Sequence, residues 1–273
     1  MKRFFLLLLT MTLLGCEGIG GTQEARQSLL IAGSSTMLPL AEALGQAFAV
    51  RHGQVDVICE GGGSTAGIVA LQRGGIDIAL MSRDVRPRED GAYLRCLPYA
   101  RNGIGLIVHA ANPVQEISVA QARMLLTGEY DNWQQTGGQP GAVNVISRAK
   151  GSTTLQSVND IILHGEDMTP NALTAGTAVS LVQSVGADPQ AVGFVSYADM
   201  QELPAELLAS VKLLSVEGVP MQRETILSGR YPLTRQLFFA VRHTSPAAQA
   251  FLDFCLGPEG MKITREIGLL TVR

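Results

Sequence analysis

Three turns rich in glycine and hydroxyl-bearing residues place the strongest constraint on this chain. They span residues 33–36, 61–67 and 148–154, and each follows an apolar stretch and precedes a pattern typical of a helix. Backbone N–H groups at a helix start lack intrahelical partners and carry partial positive charge, so such a turn can bind an anion. The three turns, with Arg148 at the head of the third, predict one enclosed site for a small oxyanion.

Short apolar strands alternate with helices along the chain. The first part predicts strands at 28–32, 55–59 and 76–81, separated by helices at 39–50 and 65–73. This alternation is typical of an α/β fold with a largely parallel sheet, whose ligands bind beyond the carboxyl ends of the strands. The later predicted strands are 103–110, 143–147, 191–196 and 237–241, and the later predicted helices are 117–126, 154–163, 245–257 and 258–267.

The N-terminus predicts export. A basic start is followed by an apolar run over residues 4–14, which is shorter than the roughly 20 residues a membrane-spanning helix needs. The run ends in Leu-Leu-Gly-Cys16, which resembles a bacterial lipobox, so we expect a signal peptide over 1–16 and lipidation, including palmitate, at Cys16. An ordinary signal with a chance cysteine is the alternative. Residues 17–27 are suited to a flexible tether, and the protein is expected at the periplasmic or cell-surface face of a bacterial membrane, held by its lipid only.

Composition excludes several classes of function. Removal of the predicted signal peptide takes away Lys2 and Arg3, which leaves 19 of the 21 basic residues against 24 acidic ones and a formal charge of −5. This acidic balance argues against nucleic-acid binding, which depends on a basic surface. The three remaining cysteines and four histidines show no metal-ligand spacing, so no metal or cofactor is expected. The three cysteines are Cys59, Cys96 and Cys255. Their apolar surroundings predict free thiols that behave as small buried hydrophobic residues, and one disulfide is the alternative.

The same turns do not predict an enzyme. No histidine lies near them to serve as a base, and no Gly-x-Ser-x-Gly elbow is present. No clustered carboxylates or histidines indicate a two-metal site. A hydrolase such as a phosphatase is therefore disfavoured.

Six segments in a fixed order resemble a known family, the phosphate-binding proteins of bacterial ABC importers, within the periplasmic-binding-protein superfamily. The resemblance extends from Ala32 to Leu270. Any one segment alone is a weak signal, because turns of glycine, serine and threonine are common. The presence of all six in the order found in the family makes the resemblance specific. The segments are 32–39, 62–68, 77–83, 148–154, 231–235 and 251–260.

The resemblance implies a two-lobed fold of type II, each lobe a mostly parallel sheet flanked by helices, with the ligand cleft between the lobes. Lobe 1 would hold residues 28–108 and 236–273, and lobe 2 residues 109–235. The implied function is that of a monomeric, lipid-anchored receptor that captures inorganic phosphate and delivers it to importer permease subunits. A receptor for another oxyanion (sulfate, molybdate or arsenate) and a phosphate-sensing lipoprotein are the alternatives.

The implied phosphate ligands come from all three turns and from the end of the third strand. Simple helix-capping or turn roles are the competing interpretation of the hydroxyls. Arg148 is the strongest candidate, because a guanidinium presents a fixed fork of donors that suits a tetrahedral oxyanion. The full set is Ser35, Thr36, Met37 (through its backbone N–H), Ser64, Thr65, Ser82, Arg148, Ser152, Thr153 and Thr154.

Two positions depart from the family. Ser82 stands where some members have an aspartate that accepts the proton of phosphate and helps to reject sulfate, so discrimination is weakened here. Lys150 stands where relatives often have an acidic residue that orients the arginine, which leaves Glu60 or Asp77 as candidate partners of Arg148.

Arg83 follows Ser82 directly and has two open interpretations. It either adds positive charge to the cleft or pairs with a nearby acid, Asp84 or Glu60.

Overall fold

The computed structural model describes residues 26–86, 88–89 and 94–272. The predicted signal peptide, Cys16 and most of the predicted tether lie outside these residues. In the described part of the chain, no helix is long and apolar enough to cross a membrane.

Strands and helices alternate along the described chain. The strands are β1 (Gln27–Gly33), β2 (Val55–Glu60), β3 (Ile78–Met81), β4 (Arg95–His109), β5 (Glu116–Ile117), β6 (Asn144–Arg148), β7 (Leu173–Ala175), β8 (Ala191–Ser196), β9 (Val211–Leu213), β10 (Ser215–Val216), β11 (Thr234–Val241) and β12 (Leu270–Thr271). The helices are α1 (Leu38–Arg51), α2 (Ser64–Gln72), α3 (Val119–Thr127), α4 (Thr153–Val158), α5 (Ala178–Ala187), α6 (Tyr197–Glu202), α7 (Ala205–Leu208), α8 (Arg223–Leu227), α9 (Pro246–Leu256) and α10 (Pro258–Glu266).

The first lobe is built on three parallel strands in the order β2-β1-β3, which β11 and then β4 extend in antiparallel fashion. One face of this sheet packs against α1, α9 and α10 around Leu44, Phe48 and Phe251. The other face is covered by α2, whose Ile68 and Leu71 pack against Met81. Burial alternates along the apolar run of β1, and its fully buried residues Leu29 and Ile31 pack into the core on the α1 face.

The second lobe repeats this plan with three parallel strands in the order β8-β6-β7. Its core contains Trp133, Phe194 and Leu106 on one face, and Leu181 and Val185 of α5 on the other. The α/β, two-lobed class predicted from the sequence is confirmed, with three parallel strands in each lobe and antiparallel additions around them.

The long strand β4 joins the two halves. Its residues Arg95–Gly103 pair with β11, whereas Ile104–Val108 pair with β8. The pairing therefore changes partner between Gly103 and Ile104, inside one continuous strand. The sequence-based lobe boundary, between Val108 and His109, stays a prediction, and strand pairing gives this alternative position for it.

A short π-helical segment, Asn159–Leu163, continues directly from α4. The sequence predicted a single helix over 154–163. Instead the α-helix ends at Val158, and the wider π turn ends at Leu163. The next residue, His164, has a left-handed backbone (φ 51°). Because π turns are rare and concentrate at functional sites, this segment draws attention to the residues it carries.

Candidate functional site

A cavity of about 590 Å³ lies between the two lobes. The first lobe contributes the ends of β1 and β3 and the start of α2, while the second contributes the segment from α4 into the π turn. The head of β11 closes the remaining side. The residues lining it are Ser34, Ser35, Gly62, Gly63, Ser64, Thr65, Ser82, Arg83, Asp84, Arg86, Gln156, Asp160, Ile161, Thr234, Arg235 and Gln236.

Parallel pairing explains why two distant turns meet at this cavity. The carboxyl ends of β1, β2 and β3 lie at the same edge of the sheet, so residues 34–35, 62–65 and 82 follow from neighbouring strands. Gly33 has φ 140°, and a Cβ there would collide with the carbonyl of Leu80. Only glycine therefore lets β1 end this close to β3.

Two threonine hydroxyls at the site accept hydrogen bonds from arginines. Arg83 Nη2 donates to Thr65 Oγ1 at 2.8 Å, and Arg235 Nη1 donates to Thr36 Oγ1, also at 2.8 Å. A guanidinium can only donate, so each hydroxyl uses a lone pair in this bond and keeps its own proton for another partner. The arrangement predisposes both threonines to act as donors.

Ser64 and Ser82 form a second hydroxyl pair on the cavity wall. The backbone N–H of Ser82 donates to Ser64 Oγ at 3.1 Å, and the two side-chain oxygens are 3.4 Å apart. Both residues are buried. This contact joins the start of α2 to the end of β3 and holds the two hydroxyls side by side.

Arg83 both lines the cavity and pairs with an acid. Its partner is Glu89, whose carboxylate receives bonds from Nη1 and Nη2 at 2.8 Å each, so neither acid suggested by the sequence is the carboxylate partner. Its contact with Asp84 is through the backbone oxygen. The hydrogen bonds from Arg83 hold the pKa of Glu89 below its usual value, although partial burial opposes this.

Arg235, at the head of β11, is the site residue that sequence reasoning did not single out. It lines the cavity with a buried side chain and donates to Thr36, to Ser157 Oγ at 3.1 Å and to Asp160 Oδ2. Burial lowers the pKa of this guanidinium, and the charge of Asp160 opposes that effect. The available signal was an arginine that ends the segment 231–235, two residues before the predicted strand 237–241.

The third turn lies outside this cavity wall. Arg148 is half-buried at the end of β6, and no described atom accepts a hydrogen bond from its Nε or Nη1, both of which are shielded from solvent. Asp77, one suggested partner, instead accepts from the N–H of Leu30 at 2.8 Å. A buried charged donor without an acceptor is costly, which makes Arg148 a candidate for a ligand contact.

Two of the three hydroxyls after Arg148 have structural partners. Ser152 caps α4 by accepting from the N–H of Leu155, and Thr154 Oγ1 lies 3.1 Å from Asp199 Oδ2. Thr153 is exposed. In this arrangement the capping interpretation describes Ser152 well.

The structure therefore divides the predicted ligands into three groups. Four line the cavity: Ser35, Ser64, Thr65 and Ser82. Two lie just behind it, since Thr36 binds Arg235 and the backbone N–H of fully buried Met37 donates to Ser34 O at 3.0 Å. The remaining four are not among the residues that line it: Arg148, Ser152, Thr153 and Thr154.

The described residues contain no group of three or more histidine, cysteine, aspartate or glutamate side chains placed to hold a metal ion. Donor hydroxyls and arginines dominate the cavity wall instead. These groups suit an anion.

Comparison with known proteins agrees with this chemistry. A family model described as a PBP superfamily domain matches residues 20–259. The phosphate-binding protein PstS of Bacillus subtilis is 25% identical over 239 residues, covering 86% of this chain and 77% of that protein.

Two solved structures are similar along almost their whole length. An ABC-type phosphate transport receptor from Vibrio cholerae is 26% identical with a TM-score of 0.76, covering 89% of this chain and 99% of that one. A putative phosphate ABC transporter substrate-binding protein from Clostridium perfringens, with bound phosphate, is 28% identical with a TM-score of 0.64, covering 90% and 100%. These relatives are phosphate-binding transport receptors rather than enzymes, which confirms the prediction of a binding protein.

Proposed function

Because the chain belongs to the PBP superfamily, we propose that it captures inorganic phosphate between its two lobes and delivers it to the permease of an ABC importer. The relatives named as phosphate-binding proteins and phosphate transport receptors support the ligand. They also support a permease as the partner. We further propose that the protein acts as a monomer, which suits a receptor that shuttles between ligand and permease.

The observation that carries this proposal is that two threonine hydroxyls, one on the cavity wall and one just behind it, are oriented as hydrogen-bond donors. Thr36 and Thr65 each accept from an arginine, so their protons are available to donate to an oxyanion. Two turns of backbone N–H groups lie beside them at the starts of α1 and α2. Arginines and hydroxyl donors outnumber the two carboxylates on the cavity wall, Asp84 and Asp160, so the wall favours an anion over a cation.

We propose that the predicted ligands act from both lobes. Ser35, Ser64, Thr65 and Ser82 already line the cavity. Arg148 and the start of α4 belong to the opposite lobe, and hinge closure of the kind common in two-lobed receptors would bring them onto the anion. Nε and Nη1 of Arg148 have no acceptor among the described residues, and a bound phosphate would supply one, which supports this step.

Calorimetric titration of the mature protein, freed of ligand by unfolding and refolding, tests the proposal. Phosphate should bind at micromolar concentration or below. Thr65→Val should weaken binding by about 10-fold to 150-fold, since one hydrogen bond to a charged group contributes about 1.5–3 kcal/mol. Thr174→Val is the matched control, because Thr174 is an exposed strand residue away from the cavity. Absence of both heat and thermal shift with phosphate would refute the proposal.

Another oxyanion is the second candidate ligand, and Ser82 favours it. Ser82 lines the cavity with a hydroxyl that both donates and accepts, so it rejects sulfate less strongly than a carboxylate would. Competition decides between the two. Displacement of bound phosphate by an equal concentration of sulfate, molybdate or arsenate would move the function to that wider class.

We propose that Cys16 anchors the protein at the outer face of a bacterial membrane. The basic start, the short apolar run and the Leu-Leu-Gly-Cys16 sequence support this placement. Cys16→Ser should shift the protein from the membrane fraction to the soluble fraction of cells. Continued sedimentation with membranes would contradict lipidation at this cysteine.

A further inference from the structure

The geometry points to Arg235 as an anion-binding residue of the cavity and to Asp160 as its internal counter-ion, which a bound oxyanion displaces. This inference rests on the proposed function and extends it. It identifies a second arginine for the ligand and a carboxylate that occupies the ligand's place before binding.

Arg235 is held in position from the first lobe and from the second. Its Nη1 donates to Thr36 at the start of α1 and to Ser157 in α4, while Nη2 donates to Asp160. Its side chain is 4% exposed, yet the residue lines the cavity. A buried guanidinium at a cavity wall needs an anionic partner, because burial penalises its unpaired charge.

Asp160 is the mobile member of the pair. Its side chain is 53% exposed, so its carboxylate can turn into water at little cost, whereas Arg235 cannot leave the interior. Asp160 lies on the π-helical segment, three residues after Ser157, which places both residues on the same side of the helix. The exchange of a carboxylate for a phosphate on Nη2 would leave the bonds of Nη1 to Thr36 and Ser157 in place.

Arg83, another arginine of the cavity wall, shows why Asp160 differs from an ordinary ion-pair partner. Glu89 neutralises Arg83, but it is only 13% exposed and accepts three hydrogen bonds, two from Arg83 and one from the N–H of Arg86. That carboxylate is fixed. Of Glu89 and Asp160, Asp160 is therefore the carboxylate that an entering anion can replace.

Displacement of Asp160 by the anion also changes the contacts that join the two lobes. Asp160 and Ser157 belong to the second lobe, Thr36 to the first, and Arg235 to the strand that returns between them. Before binding, the Asp160–Arg235 ion pair ties the second lobe to this strand. After binding, the anion replaces the carboxylate of Asp160 as the partner of Arg235 between the two lobes. Because Asp160 always competes for Arg235, the affinity for the anion is reduced.

Titration of phosphate into the wild type, Asp160→Asn and Asp84→Asn tests the inference. Asp84 is the matched control, since it lines the same cavity and carries the same charge but is not the carboxylate paired with Arg235. Asp160→Asn should bind phosphate about tenfold more tightly, as expected when an ion pair no longer competes, while Asp84→Asn should gain only about twofold from the general loss of negative charge. Arg235→Gln should lose at least about tenfold, and Arg235→Lys should recover part of that loss.

The possible outcomes separate the inference from the proposed function. Equal gains for Asp160→Asn and Asp84→Asn, or weaker binding by Asp160→Asn, would overturn displacement while phosphate binding by the wild type stands. Arg235 variants that bind as the wild type does would overturn the assignment of Arg235. A wild type silent to phosphate, sulfate and arsenate would overturn the proposed function. The inference would then fall if Asp160→Asn were silent too, and would be supported if binding appeared in that variant alone.

Discussion

Replacing Arg148 by methionine should make the ligand-free protein more stable and its phosphate binding weaker. The Nε and Nη1 donors of Arg148 are shielded from solvent, and no described atom accepts from them. Leaving a buried donor unsatisfied costs about 1–3 kcal/mol, and more when it is charged. Methionine keeps an unbranched apolar stem of similar reach, so it removes this cost with little loss of packing.

We expect a net gain of about 1–3 kcal/mol in the free energy of unfolding, which corresponds to a rise in melting temperature of about 2–12 °C for a protein of this size. Phosphate affinity should fall by about 2–5 kcal/mol, or about 30-fold to 5,000-fold, the range for removing one partner of a buried charge pair. The prediction is specific because the same substitution should raise the free energy of unfolding and lower the affinity for phosphate. A functional group that is strained before its ligand arrives is expected to trade stability for binding.

Urea unfolding of the ligand-free protein, followed by calorimetric titration of the same preparation, measures both effects. Arg73→Met is the control, because Arg73 is exposed at the end of α2 and its loss removes the same charge. Destabilisation by more than about 1 kcal/mol in Arg148→Met would show that the guanidinium has partners in the folded protein. Unchanged phosphate affinity would show that Arg148 does not contact the ligand.

Three further results follow from the same structure. Gly67→Ala should destabilise by about 1–3 kcal/mol in urea unfolding, because its new Cβ would lie 2.8 Å from the Cα of Gly33; a loss below about 0.5 kcal/mol would show that α2 moves away freely. Arg83 lowers the pKa of Glu89, so their ion pair stabilises the fold when the pH is above the usual pKa of a carboxyl group, and this stabilisation is lost as the pH falls through the lowered pKa. Glu89→Gln should therefore reduce the loss of unfolding free energy at acid pH by about 0.5–1 kcal/mol. An unchanged pH profile of unfolding would exclude this linkage. Burial raises the pKa of Cys59 from 9.0 to about 11. The stability that the protonated thiol contributes to the fold is therefore full below pH 9 and is lost as the pH rises toward 11. Peptide mapping after alkylation at pH 8 should show that Cys59 is modified about 100-fold more slowly in the folded protein than in the unfolded chain, and equal rates would contradict its burial.

Much of the fold follows from local sequence patterns. The alternation of apolar strands and helices predicted β1, α1, β2 and α2 to within about two residues at each end. These elements are short, strongly apolar and separated by glycine or polar turns, so local propensity and burial agree. The strand at 191–196 matches β8 without a shift, because all six of its residues are buried.

Elements stabilised by distant partners could not be seen in this way. The first half of β4 contains Arg95, Arg101 and Asn102, which local pattern does not mark as strand, and it is held by pairing with β11 more than 130 residues later. The change from α-helix to π turn after Val158 also has no local signal. Its consequence, the placement of Asp160 on Arg235, depends on where β11 lies.

The sequence by itself predicted an anion site, and the tertiary structure decided which residues line the cavity. Glycine-rich hydroxyl turns after parallel strands indicate an anion site wherever they occur, since backbone geometry at a strand end is local. The contact of Arg235 with Thr36 and Asp160 arises only when segments far apart in the chain are packed together. The same packing leaves Nε and Nη1 of Arg148 without an acceptor among the described residues. Hydrogen-bond satisfaction is a property of the packed interior, and for that reason no local pattern revealed either one.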